Sequence, residues 1–375
     1  MISYKYKLYK TKRTKYLDKM LREACFIWNH ALALQKRYYR MFGKYIPKFA
    51  MFKHFSKRVE RHLLHSHVVR EIIERLDIAY QRFFRHITKR PPKFKRAKDF
   101  SSFVFPQGGY ALNENEFTIR RIKKRFKFFY SRPYEGNVKR VTIKRSPLGE
   151  YYLIILTDAN PKSCGKTHDG AFVGIDFGLK TYMVLSDGTT VDCPQYLKSD
   201  LGKVRRKSRN LSKTKRGSNN RERRRKEMCR EHESITNRRN DFQWKLAHEL
   251  CRCYDYIFIE DLSLSGMTRL WGRKIYDLAH YEFTEKLKYV ASKYGVTVHK
   301  IDRFYPSSKT CECGYVNKSL SLKDREWVCP DCGKVNNRDL NAAQNILRRG
   351  ISELWSGCQT ESDSAIHACT QQSCI

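Results

Sequence analysis

Residues 172–178 read Phe-Val-Gly-Ile-Asp-Phe-Gly, a carboxylate set inside an otherwise apolar strand. Burying a charge is costly unless something cationic meets it, so Asp176 needs a counter-charge. The segment 256–260, Tyr-Ile-Phe-Ile-Glu, ends on Glu260 in the same way. A third acid, Asp339, opens the last helical pattern in Asn337-Arg-Asp-Leu-Asn-Ala-Ala. Strands are predicted at 172–176, 182–186 and 189–192, the last two joined by Asp187-Gly188, a strong hairpin signal. A long helical stretch follows over about 200–252, then a strand at 254–260. A helix over 278–294 ends at Gly295, 296–301 is a strand, and 339–349 is a helix.

The order β-β-β-α-β-α-β-α matches the ribonuclease H-like fold, an α/β layer on a mixed sheet. In that topology the first strand is central, the strand of Glu260 lies beside it and the last helix crosses both. Asp176, Glu260 and Asp339 then converge. Carboxylates brought together repel, so they normally hold cations, and oxygen ligands suit Mg²⁺ or Mn²⁺. Two such ions activate water and stabilise the leaving oxygen of a phosphodiester. Each acid also has a plainer reading. Asp339 at a helix start can be an N-cap. Asp261 adjoins Glu260, and strand alternation does not choose between them. Asp187 reads as a turn residue.

Cys311-Glu-Cys313-Gly and Cys329-Pro-Asp-Cys332-Gly lie fifteen residues apart. Two such knuckles read as a tetrahedral structural Zn²⁺ site. The first pair has a one-residue spacer, which makes joint ligation by Cys311 and Cys313 tighter. Cys251 and Cys253 have no partner pair and read as core.

The amino-terminal part follows a different pattern. Residues 3–8 alternate as a half-buried strand. Leu17, Met20, Leu21, Ala24, Trp28 and Ala31 follow helical spacing, and a second helical stretch covers about 59–87. The stretch 44–58 between them is basic and aromatic, and Pro91-Pro92 ends the helical region. Short strands follow near 101–105, 117–121, 138–144 and 150–157. The fold class is thus multidomain α+β: a β-barrel-like module with a helical insertion, then a ribonuclease H-like nuclease domain with an inserted zinc ribbon. The expected domains are 1–10 with 94–160 (β), 11–93 (helical), 170–304 with 337–350 (nuclease), 305–336 (zinc ribbon) and a tail, 351–375, that is disordered or RNA-contacting. Residues 160–170 are the linker.

The chain carries 76 Lys+Arg against 38 Asp+Glu, a net charge of +38. Such a chain repels itself unless a polyanion relieves it, and nucleic acid is the expected partner. The 23 Tyr and 21 Phe supply flat rings for unpaired bases. No run reaches the roughly 18 apolar residues of a membrane span, and no signal-peptide pattern opens the chain, so a soluble, cytoplasmic protein without a membrane partner is expected. Residues 203–226 hold thirteen Lys/Arg and one acid, Glu222. Arg205, Arg206, Lys207, Arg223, Arg224 and Arg225 there are candidate phosphate contacts. Lys93, Lys95, Tyr38 and Tyr39 are further candidates, from stretches that interleave rings with cations. Ile235, Phe242, Leu246 and Leu250 keep core spacing.

The combined pattern resembles the TnpB proteins of bacterial insertion sequences, which are similar to type V CRISPR effectors and share their RuvC-like nuclease. The resemblance rests on Gly174-Ile-Asp176-Phe-Gly-Leu-Lys180, Ile259-Glu260-Asp-Leu262 with Gly266-Met267, residues 307–333 and Arg338-Asp339-Leu-Asn-Ala-Ala343. Phe26-Ile-Trp28-Asn29 and Pro92-Lys-Phe-Lys95 add to it, and the likeness spans about residues 2–349. It implies RNA-guided cleavage of double-stranded DNA, with a guide RNA from the transposon end. It implies a short target-adjacent motif read by the amino-terminal modules, and the metal role for Glu260 rather than Asp261. A monomer is favoured. Two other functions fit less well: a guide-dependent DNA-binding regulator without cleavage, and a strand-transfer transposase.

Overall fold

A computed structural model of the chain describes residues 1–57, 63–160, 170–261, 272, 274–321 and 324–370, with 356–370 as backbone alone. Most of the 160–170 linker, the Leu262 and Gly266-Met267 part of the sequence pattern, and Cys374 lie outside the described residues. The chain divides into two compact units, Met1–Pro161 and Lys162–Ile375.

In the first unit, β1 (Ile2–Lys7) alternates as its sequence requires, with Tyr4 and Tyr6 buried. It pairs with β7 (Tyr151–Thr157), then β6 (Val138–Arg145) and β2 (Ser102–Phe105), all antiparallel. A separate three-stranded sheet holds β3 (Tyr110–Leu112), β4 (Glu116–Ile119) and β5 (Lys124–Lys127). The described strands form two sheets that share one buried core and are tied by a bridge between Leu8 and Phe128.

The helix α1 (Thr14–Phe42) buries Leu17, Leu21, Ala24, Trp28 and Ala31 along one face and stops at Gly43, φ 64°. The basic aromatic stretch is itself partly helical: α2 (Lys48–Ser56) follows Pro47 and buries Met51 and Phe55, one turn apart. The next helix, α3, spans Ser66–Phe84, shorter than the expected 59–87. Beyond it the chain lies against α1. Asn29 Nδ2 donates to the Lys95 carbonyl at 2.8 Å, and the Lys95 amide donates to Asn29 Oδ1 at 2.9 Å. Trp28 Nε1 donates to the Lys93 carbonyl at 3.2 Å. Two sequence fragments that look unrelated, Trp28-Asn29 and 92–95, are therefore one contact.

In the second unit the sheet order is β10-β9-β8-β11-β12, with β8 (Phe172–Phe177) central. The strands β9 (Thr181–Leu185) and β10 (Thr190–Asp192) run antiparallel on one side. On the other, β11 (Tyr256–Glu260) and β12 (Thr297–Ile301) run parallel. The expected single helix over 200–252 is two, α4 (Tyr196–Ser212) and α5 (Asn219–Cys253). Gly217 at φ 86° breaks the run, and Ser218 Oγ accepts from the Arg221 amide at 3.1 Å to start α5. Then come α6 (His280–Tyr294), the hairpin β13 (Glu326–Val328) with β14 (Val335–Asn337), and α7 (Arg338–Thr370). The last helix continues well past Gly350, as backbone to Thr370.

One face of this sheet packs Val173, Ile175, Ile257 and Ile259 against residues of α5 and α6. The alternate residues face α7, which lies very close. A Cβ on Gly174 would stand 2.2 Å from the Ala343 carbonyl oxygen, and one on Gly350 would stand 2.0 Å from Phe258 Cδ1. Neither glycine serves a turn; each gives room for helix to meet sheet. Gly174→Ala meets backbone, which cannot swing aside. It is expected to cost about 1–3 kcal/mol or more, read as a lower urea midpoint with unchanged slope.

Candidate active site and metal centre

Backbone parity decides where the acids point. In parallel strands registered partners share a face, and Ile259 partners Ile175. Continued by one residue, that register sets Glu260 opposite Asp176. Asp176 lies two residues after Gly174, and Glu260 two after Phe258, and both of those residues meet α7. Asp176 and Glu260 therefore project from the α7 side of the sheet, and Asp339 sits in the first turn of α7. All three are half-buried.

Their electrostatics reflect this closeness. Burial first, then the carboxylates of Glu260 and Asp339, push Asp176 up to about 7, against the pull of Arg338 and Arg325. Glu260 is also raised, by burial and then by Asp261. Asp261 is the opposite case. Lys300 donates to it at 2.9 Å and Arg303 at 2.5 Å, and these partners hold it below the usual carboxylate range. Of the two neighbours at this strand end, Glu260 is the one beside Asp176.

Asp339 does not cap its helix. Asn337 Oδ1 accepts from the Leu340 amide at 3.2 Å and takes that role. The Asp339 carboxylate instead receives Arg325 Nη1 on both oxygens, at 3.0 and 2.9 Å. Arg325 stands just before β13, and no spacing in the sequence marks it. Asn341 and Asn345 are also buried, donating to the Thr310 carbonyl at 2.8 and 2.6 Å. Two asparagines one turn apart in an apolar helix were the available signal for that link. Asp187 is a turn residue: its Oδ1 accepts from the Thr189 amide at 2.8 Å and its Oδ2 from the Tyr254 hydroxyl at 2.6 Å.

The four cysteines come together. Cys311 and Cys332 sulfurs lie 3.7 Å apart, Cys313 and Cys329 sulfurs 3.6 Å, and all four are within 4.8 Å of one another. Zinc–sulfur bonds of about 2.3 Å at tetrahedral angles require sulfurs about 3.8 Å apart. The donor set fits Zn²⁺, and the one-residue spacer does not prevent it. Asn336, buried, donates to Cys311 Sγ at 3.5 Å and orients it. Among the described residues this is the cluster of three or more metal-ligating side chains drawn that tightly. The three acids are less tightly gathered, with Asp339 turned to Arg325.

The basic candidates divide. Arg205 and Arg206 are exposed on α4. Lys207 is paired with Glu231, Arg224 with Glu227 at 3.0 Å, and Arg225 with Glu222 at 2.7 Å. Arg223 reaches Glu227 only at 4.0 Å. The acids at 227 and 231 lie just past the basic run: helical periodicity brings Glu227 to Arg224, and the pairing of α4 with α5 brings Glu231 to Lys207, partners that a count over 203–226 omits. Lys95 Nζ lies 3.8 Å from the centre of the Trp28 ring, a cation–π contact within the fold. Lys93 is exposed, as is Tyr39, while Tyr38 packs on Phe42 with centroids 4.7 Å apart.

Residues 158–270 match the family model described as "Probable transposase", and residues 280–346 match "Cas12f1-like, TNB domain". The chain is 32% identical to a Streptomyces pristinaespiralis protein named "Putative RNA-guided DNA endonuclease", over 77% of this chain and 72% of that one. It is 29% identical to the Escherichia coli K12 protein "Putative RNA-guided DNA endonuclease InsQ", over 90% of each. A mimivirus "TnpB-like protein L79" is 29% identical over 60% of this chain and 46% of its own. In fold the chain is similar to a protein in a cryo-EM structure of a Cas12f1–sgRNA–target DNA complex. That match has a TM-score of 0.57 at 15% identity and covers 90% of this chain and 83% of the other.

Proposed function

The chain belongs to the TnpB family, and from that premise we propose that it is an RNA-guided endonuclease cleaving double-stranded DNA beside a short transposon-associated motif. The observation that carries the chemistry is the convergence of the acids on the α7 side of the sheet, with Asp176 pushed up to about 7 by burial, Glu260 and Asp339. We read the second unit as a ribonuclease H-like, RuvC-type nuclease working by two-metal-ion hydrolysis. Asp176, Glu260 and Asp339 would hold Mg²⁺ or Mn²⁺, which supplies positive charge against the charge developing on the phosphodiester. Arg325 neutralises Asp339 meanwhile, so the guanidinium and a cation compete for one carboxylate. The four cysteines would hold one structural zinc, fixing the hairpin that leads directly into Asp339.

The guide RNA and the target are the polyanions that balance the net charge of +38. Arg205, Arg206 and Arg223 are the best placed of the named cations, because Lys207, Arg224 and Arg225 must first release an acid. The segments 1–10 with 94–160, and 11–93, would read the motif beside the target. The protein is expected to purify with RNA. If about 6–10 phosphates are neutralised, affinity should fall roughly 10³–10⁵-fold between 50 and 200 mM salt. Salt-insensitive binding in a titration by filter retention would overturn this.

The test of the whole reading is a plasmid library, randomised beside one target and incubated with the protein, a matching guide RNA and Mg²⁺. Linear product from matching plasmids alone is expected. Guided binding without cutting would establish a regulator, and joined strands a transposase.

A further inference from the structure

Among the described residues, seven buried side-chain nitrogen or oxygen atoms lack a hydrogen-bond partner, and three of them belong to residues lining one cavity. They are Nδ1 and Nε2 of His280 and Nε of Arg239. His280 is 2% exposed and opens α6 behind Ala279, whose φ is 50° and which gives no side-chain cap. Burial pushes the imidazole down to about 4, the nearby Gly178 backbone opposing this only in part. The ring is neutral near pH 7, with one nitrogen a donor and the other an acceptor.

The cavity is about 410 Å³. Two of its residues, Tyr276 and Tyr281, are large rings left 69% and 66% exposed. Arg239 ties the wall together, donating from Nη1 to the Tyr276 carbonyl at 2.8 Å, with Nη2 3.6 Å from Glu282. His280 and Tyr281 also line a second cavity of about 230 Å³, whose wall includes Glu260 and Asp261. The two cavities thus meet across the first turn of α6, one of them at a candidate metal carboxylate.

We propose that the larger cavity is a subsite for one unpaired base of the DNA strand presented to the acids. The proposal rests on the nuclease reading above and adds to it how a strand is positioned. Exposed aromatic rings accept stacked bases whatever the sequence. A neutral imidazole and the Arg239 Nε–H offer an acceptor and donors to a base edge. A phosphate fits poorly, because the imidazole is uncharged and Glu282 stands beside Arg239. An apolar side chain would leave Arg239 Nε and an imidazole nitrogen unpaired. A base edge that reaches these nitrogens would satisfy them.

The experiment uses the full chain with its RNA, carrying Asp176→Ala so that DNA stays intact. Short single-stranded DNAs carry 2-aminopurine at each position in turn. Quenching is expected at one position. Tyr276→Ala with Tyr281→Ala should remove it and raise Kd about tenfold. An abasic residue at that position should weaken binding equally, and should cost nothing further in the double variant. Arg239→Lys keeps the charge but loses Nε, and should weaken binding of the base-bearing strand more than that of the abasic one. No position-specific quench, or equal losses with and without the base, overturns the proposal. These are binding readouts, so a nuclease reading that fails because Asp176→Ala still cuts is recognised separately, from degraded probe.

Discussion

Asp176→Ala is expected to abolish DNA cleavage while leaving guided target binding largely intact. The residue projects from the central strand toward α7, beside Glu260 and near Asp339. Removing it would take an oxygen donor from the proposed metal site, and with it the positive charge that a metal held there would supply. Binding should survive, because the proposed guide and phosphate contacts lie on other segments. Folding should survive and gain. A carboxyl raised to about 7 binds its proton more tightly in the native state than in the unfolded chain, where it titrates near 3.9. Its favourable contribution is therefore present below about pH 4 and is lost as pH rises through 7. In metal-free protein at pH 8, Asp176→Asn should relieve a penalty of up to about 4 kcal/mol, seen as a higher urea midpoint in EDTA. At pH 4 the difference should shrink. Glu260→Ala and Asp339→Ala should also fail to cut. Asp187→Ala should cut nearly normally, since that carboxylate is spent on Thr189 and Tyr254. Cleavage by Asp176→Ala at a tenth of the wild-type rate or better would sink the metal-site reading.

Cys329→Ser combined with Cys332→Ser is expected to remove about one zinc per chain and most of the cleavage activity. Structural zinc contributes on the order of 10–16 kcal/mol of apparent binding energy in small fingers, and a hairpin of two three-residue strands has little else to hold it. Its own core is Cys311, Leu320, Trp327 and Cys329. Losing a metal held there would free β14, which leads straight into Asp339. Arg325, which grips Asp339, comes from the same hairpin. The damage should thus reach the acids without touching them. Elemental analysis after mild chelation, alongside cleavage and thermal melting, checks both halves. Zinc retained undiminished in the double variant would show that the ligands are others.

The reach of the sequence differs from element to element. Alternation in β1 and β7, the Asp187-Gly188 hairpin and the Gly295 stop are local, so they read directly from residue order. So do the carboxylates within apolar strands, because a charge there contradicts its surroundings. The helix break at 213–218 was legible only through Gly217 and Ser218, and a charge count hid it. Of the second small sheet only β4 was expected, near 117–121; β3 and β5 escaped notice because strands of three and four residues are too short for a period to show.

Residue order by itself determined the inventory: three acids, four cysteines, the strands and helices that carry them, and a charge that calls for nucleic acid. Which acid is which was decided by tertiary structure. Glu260 and Asp261 are adjacent in the chain and opposite in state, because one side of the strand end faces α7 and Asp176 while the other meets Lys300 and Arg303. Asp339 is no cap, because Asn337 reaches Leu340 first and Arg325 arrives from fourteen residues away. Gly350 looks like a helix stop and is instead a close approach to Phe258. Spacing along the chain sets what a side chain can do; packing against distant segments sets its partners, its proton and its free surface.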